Sequence, residues 1–114
     1  MEVEAITSEV KEELTLLING GDGNDFLGGG YGKDRFVFDV SNENGSYDRI
    51  YGFNANVDVL DIVFGTTNTN VGYRTSGDGD LVMIAANNDS FIQIEFQDIA
   101  NTSSNQQAIY NTII

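Results

Sequence analysis

Residues 20–37 read GGDGNDFLG followed at once by GGYGKDRFV. The two nonapeptides share one pattern, Gly-Gly-x-Gly-x-Asp-x-apolar-x, so glycines, an aspartate and an apolar side chain recur at fixed offsets. Repetition at a short fixed period marks a chain that stacks like turns upon one another. Gly20, Gly21 and Gly23 in the first copy, and Gly29, Gly30 and Gly32 in the second, permit the sharp, partly left-handed backbone of a turn that aims several carbonyl oxygens at one spot. Asp25 and Asp34 end the two turns with carboxylates, and Asp22 and Asn24 add side-chain oxygens to the first. An all-oxygen donor set suits calcium, which takes six to eight oxygens at about 2.3–2.6 Å, and suits soft metals poorly. Ordinary turn chemistry would account for the glycines, and equally for Asp22 and Asn24, but not for two aspartates in phase.

After each turn the spacing predicts a short strand of three residues whose central side chain, Leu27 or Phe36, points inward while its neighbours point out. Two such units make one coil of a flattened parallel β-helix. The β-prone run LTLLIN at residues 14–19 leads into the first turn. This pattern resembles the RTX, or haemolysin-type calcium-binding, repeat. The resemblance implies a short parallel β-roll, calcium ions as the cofactor, and export from a Gram-negative cell by the type I route with an uncleaved C-terminal signal. Residues 48–53, DRIYGF, and 58–62, DVLDI, are similar to the segment that follows the repeats in serralysin-type metalloproteases and in the calcium-binding modules of bacterial mannuronan epimerases. The likeness runs over residues 14–63. Many members of that family carry more than two repeats, so the number here departs from the pattern.

In a β-roll successive turns fall on opposite edges, and an ion is shared by turns two units apart. The turns ending at Asp25 and Asp34 therefore each need a partner from elsewhere. The resemblance pairs Asp48 with the second turn, with a solvated loop carboxylate as the ordinary alternative. For the first turn the candidates are Asn42 or Glu43, or the local Asp22 and Asn24.

Composition limits what else the chain can do. Its 114 residues fit one domain with one modest core. A net charge of −13 argues against nucleic acid and anionic membrane surfaces as partners, and favours divalent cations. No stretch approaches the roughly 18 apolar residues of a membrane span, and residues 1–13, MEVEAITSEVKEE, lack the basic start and apolar centre of a cleaved signal peptide. Those residues read as an acidic leader, loosely held or a short helix. With no cysteine and no histidine, disulfides, thiolate sites, imidazole bases and most zinc sites are excluded. No carboxylate pair stands out among the 18 acids, so the chain reads as a non-enzyme.

Within the RTX-type domain, residues 14–39 read as the roll and residues 40–114 as an antiparallel β cap with a C-terminal tail. From residue 57 the expected strands are 57–64, 71–75, 81–86 and 91–96, separated by the turns SGDGD and NNDS. Tyr47, Tyr51 and Tyr73 are candidates for a sugar platform, with partly buried core tyrosines as the commoner explanation. Ser104 and Gln107 have capping-box spacing, which predicts a short helix before the final IYNTII. That tail reads equally as an export signal or as residues that close the sheet. The function so implied is a calcium-dependent folding and export module of a secreted bacterial protein. The alternative is an alginate-type polysaccharide-binding module beside a catalytic domain, although five basic residues among so many acids make a weak grip on a polyanion unless calcium bridges the two.

Overall fold

The computed structural model describes residues 16–19, 21, 23–30, 32–41, 45–66 and 69–114. The leader at residues 1–13, and the candidate ligands Gly20, Asp22, Asn42 and Glu43, lie outside them. The described chain is mainly β, with one short helix. Its strands are β1 (Leu16–Ile18), β2 (Phe26–Gly28), β3 (Asp34–Asp39), β4 (Ser46–Tyr51), β5 (Val59–Val63), β6 (Asn70–Thr75), β7 (Asp80–Ala86) and β8 (Phe91–Ala100), followed by α1 (Ser103–Tyr110).

Two sheets share these strands. β1, β3 and β5 form one sheet in that order, with both pairings parallel. The other runs β2-β4-β8-β7-β6, parallel from β2 through β4 to β8 and antiparallel from β8 through β7 to β6. From β1 to β5 the chain therefore crosses from one sheet to the other at every turn. The turns before β2 and β4 fall on one edge, and those before β3 and β5 on the other. Residues 57–64 are thus not part of an antiparallel unit: β5 lies parallel beside β3, with Phe36 opposite Leu60 and Phe38 opposite Ile62. The parallel winding also continues past residue 39, and β8 returns parallel on β4 before the antiparallel meander completes the sheet.

Alternation along each strand sorts the side chains. In β3 the order Asp34, Phe36, Phe38 is buried while Arg35 is exposed, so a period of two delivers both phenylalanines to the interior. Ile18, Phe36 and Leu60 lie in register across one sheet, and Leu27, Ile50 and Phe96 across the other; all six are almost fully buried. Phe53 sits between the two rows, its ring centroid 5.7 Å from that of Phe36 and 5.1 Å from that of Phe96. One aromatic side chain in a loop thereby packs the two sheets together.

The turn at residues 76–80 connects β6 to β7, with Gly79 at φ 93°, so the GDG there is a hairpin turn. At the C-terminus the helix is capped by Thr102, whose hydroxyl accepts from the Asn105 N–H at 3.1 Å, rather than by Ser104. After α1 the chain reaches β5: Leu60 N–H donates to Thr112 O and Ile114 N–H donates to Leu60 O, both at 2.9 Å. Ile113 so adds a parallel bridge beside Leu60, which closes the sheet on the side away from β1.

Candidate metal-binding edges

The tandem repeat keeps its phase in three dimensions. Gly21 and Gly30, equivalent in the two copies, have φ of 77° and 75°; Gly23 and Gly32 have 90° and 91°. These are left-handed values that cost an L-residue about 1 kcal/mol or more and glycine nothing. Each turn then delivers its aspartate to the start of a strand, where the side chain turns inward. Asp25 is 6 % exposed and Asp34 1 %.

The residues that meet these aspartates are not those the sequence pairs. Asp48 stands with the first turn: its Oδ1 accepts the Asp25 N–H at 2.9 Å, across 23 positions of chain. Asp34 stands with Asp58, whose Oδ1 accepts the Asp34 N–H at 2.9 Å, across 24 positions. The expected pairing of Asp34 with Asp48 is therefore wrong. The two lie on opposite edges because β3, which starts at Asp34, and β4, which carries Asp48, belong to different sheets. Asp48 is not a solvated loop carboxylate either, being 1 % exposed within β4. Asn24 is more than a local turn residue, since its Oδ1 accepts the Tyr47 N–H at 2.8 Å and so ties the first turn to the next coil.

Asp58, 3 % exposed, is the residue that sequence reasoning missed. A signal for it exists. Asp25-Phe26-Leu27, Asp34-Arg35-Phe36, Asp48-Arg49-Ile50 and Asp58-Val59-Leu60 all read Asp-x-apolar. In each, both the aspartate and the apolar residue are buried. The glycines fade after the second copy, but this shorter pattern recurs at or near the start of each of β2, β3, β4 and β5. Both rows also end sharply. Beyond Asp48 the next register position holds Ile94, and on the other edge Asp34 lies opposite Leu16. Among the described residues each edge has a pair of stacked carboxylates and no longer file.

Burial dominates the protonation of Asp48 and Asp58. The Asp48 carboxyl is pushed up to about 6, by burial first and then by the neighbouring Asp25 charge, against the stabilising N–H of Asp25 and the Ser46 hydroxyl. Asp58 is also raised by burial, although its two oxygens accept backbone N–H groups from Asp34 and Asn54, both at 2.9 Å. An acid whose folded-state pKa is raised destabilises the fold once pH exceeds its unfolded value of about 3.9. The metal-free protein is thus expected to gain stability on acidification from pH 7 to about 4. For Asp48 alone the gain is up to about 3 kcal/mol at 1.36 kcal/mol per unit. Urea midpoints in EGTA at several pH values would check this, and a midpoint that falls between pH 7 and pH 5 would contradict it.

The donors at both edges fit a hard cation. They are oxygens throughout, with no cysteine thiolate or histidine imidazole in the chain. Gly29 forms a cradle for Asp34: a Cβ there would lie 2.2 Å from the Asp34 Oδ2. Among the described residues no three acidic side chains gather at one point, so backbone carbonyls from the glycine turns must complete any coordination shell. Gly29→Ala is accordingly expected to displace the Asp34 carboxylate and remove a site on that edge, with about 1–3 kcal/mol lost from overpacking. Calcium stoichiometry by calorimetry is the check; an unchanged value would mean that Asp34 takes no part. No protein-family model, curated protein or solved structure matches the chain.

Proposed function

We propose that residues 16–63 form a short RTX-type parallel β-roll, and that the chain is a calcium-binding module of a secreted bacterial protein that folds after type I export. The observation that carries this reading is the stacking of Asp25 on Asp48 and of Asp34 on Asp58, behind turns whose equivalent glycines, Gly21 with Gly30 and Gly23 with Gly32, have matching φ. Asp25, Asp34 and Asp48, with carbonyls of the glycine turns, would hold the ions, and Asp58 joins them on the second edge. Calcium bound there supplies positive charge between carboxylates that otherwise sit buried side by side.

Metal-free, the module carries buried acids, a charge of −13 and glycine-rich turns that are costly to order. Extracellular calcium sites have dissociation constants of about 0.1–1 mM. At roughly 1 mM calcium and a 0.1 mM constant, one site adds about 1.4 kcal/mol and two about 3 kcal/mol, against roughly 5–15 kcal/mol for a whole domain. Calcium in the cytosol lies far below such constants and adds almost nothing. The chain therefore stays loose inside the cell, passes the export channel, and folds outside, alone or beside a catalytic domain of its parent. It performs no catalysis itself.

Calorimetric titration tests this reading. Calcium should bind with a stoichiometry near two, and Asp25→Ala and Asp34→Ala should each remove one site while sparing the other, because they lie on opposite edges. Heats indistinguishable from dilution, or equal affinity for magnesium, would refute it.

A further inference from the structure

We propose that the free edge of β6 takes up an extended peptide of a partner protein as a sixth strand of the larger sheet, with two uncharged, hydroxyl-tipped side chains in the cleft beside α1. None of the residues involved belongs to the calcium edges. β6 ends the order β2-β4-β8-β7-β6 and pairs with β7 alone among the described strands. At the turn between β6 and β7 the Ser76 N–H donates to Asp80 O at 2.8 Å, so the ladder bonds of β6 fall on Asn70, Gly72 and Arg74. Val71 and Tyr73 therefore point their N–H and C=O away from β7, and no described residue meets them. Such a row is a template for another strand, and proteins usually blunt it with proline, lysine or a bulge. Here the strand reads NVGYRT in unbroken register, and its one basic side chain, Arg74, is held by two hydrogen bonds to Gln93 Oε1, of 3.0 Å and 2.8 Å. Between Val71 and Tyr73, Gly72 has open space where a Cβ would stand, which lets another backbone come close.

Tyr73 lies opposite Met83 of the core and so faces the interior, whereas Tyr47 and Tyr51 take the outer face of β4, alternating with its buried residues. With Val71, Tyr73 forms one wall of a cavity of about 410 Å³, and Ser103, Gln106, Gln107 and Tyr110 of α1 form the other. Their spacing puts all four on one face of the helix. That face is uncharged but polar, and it leaves a gap beside β6 instead of packing against it. The Tyr73 hydroxyl is buried and has no hydrogen-bond partner among the described residues. Burial, then the nearby Tyr110, raises this phenol, which keeps its proton for donation. Gln106 and Gln107 spend their Nε2 groups on Asn101 and Asn111, at 2.7 Å and 2.9 Å, which leaves each Oε1 to accept. A hydroxyl at the tip of an incoming side chain would accept from Tyr73 and donate to a glutamine. A carboxylate or ammonium would be stranded, since none of the six lining residues is charged.

A polypeptide fits both features at once. It brings N–H and C=O groups at the spacing of β6, and it presents every second side chain to the same face. The cavity is of ordinary size for a ligand site and spans the positions opposite both Val71 and Tyr73. A second copy of the chain also has strands to offer, but two molecules of charge −13 repel each other, while lysines flanking a peptide would draw it in.

The test is calorimetric titration of the chain, in about 1 mM calcium, with a peptide of three Thr-Tyr repeats between two lysines. N-methylation of one alternate set of its residues removes the N–H groups that face β6 and should weaken binding at least about tenfold, while methylation of the other set should leave it within about threefold. Glutamate in place of the tyrosines should also cost at least about tenfold. Tyr73→Phe deletes only the hydroxyl, so it should weaken the peptide about five- to tenfold with calcium stoichiometry and melting temperature unchanged. A purely structural hydroxyl would give the reverse, a lower melting temperature and the same affinity. Absence of binding, equal loss from both methylated sets, indifference to Tyr73→Phe, or a dimer in sedimentation that the peptide does not dissociate would overturn the inference.

Discussion

Phe53→Ala is expected to lower the unfolding free energy by about 3–5 kcal/mol, the usual effect of truncating a core phenylalanine. The side chain is 7 % exposed and touches Phe36 from one sheet and Phe96 from the other. Its loss would leave a cavity between sheets that are otherwise held by side-chain packing, and the surrounding strands cannot close it without breaking register. Against a total of roughly 5–15 kcal/mol, the variant should be largely unfolded in EGTA and rescued only in part by calcium. Phe53→Leu, which keeps most of the volume, should lose about 1–1.5 kcal/mol. Urea unfolding of both variants in calcium reads the difference, and a loss below about 1 kcal/mol for the alanine variant would mean the sheets do not depend on this residue.

The second large effect is expected at Asp58. Asp58→Ala strips the partner from the backbone N–H groups of Asp34 and Asn54 at once. A buried donor left unsatisfied costs about 1–3 kcal/mol, so the two together should cost about 2–6 kcal/mol. Asp58→Asn keeps the shape but can accept through one oxygen only, and should fall between. The neighbouring Asp61 provides the contrast. Its carboxylate pairs with Arg35 at 2.6 Å on the outer face, where both partners see water, and Asp61→Ala should cost less than about 1 kcal/mol. Equal effects at the two positions would show that Asp58 is not the anchor of the second turn.

Much of this architecture was legible in the chain because the repeat encodes local geometry. The glycine offsets dictated left-handed glycines in both turns, and Leu27 and Phe36 point inward as expected, although only β2 is a three-residue strand and β3 runs to six. The opposite placement of the two turns followed from the same phase. What the sequence concealed was long-range: Asp48 and Asp58 are matched to their turns by which sheet each strand joins, and past the second repeat only the short Asp-x-apolar pattern marks the strands that carry them. β5 was mistaken for part of an antiparallel unit because an apolar run such as VLDIV has the same pattern whichever way its neighbour points. Its true partner, β3, is distant in sequence. Tyr47 and Tyr73 could not be told apart for the same reason, since the face a tyrosine takes depends on strand register and not on its immediate neighbours.

Calcium-dependent folding is the central claim, and thermal unfolding followed by circular dichroism, first in EGTA and then in about 1 mM calcium, tests it most directly. Two sites adding about 3 kcal/mol should raise the melting temperature by roughly 10–20 °C for a domain of this size, and sharpen a weak metal-free β spectrum. A β spectrum and melting temperature that are the same in both solutions would contradict it.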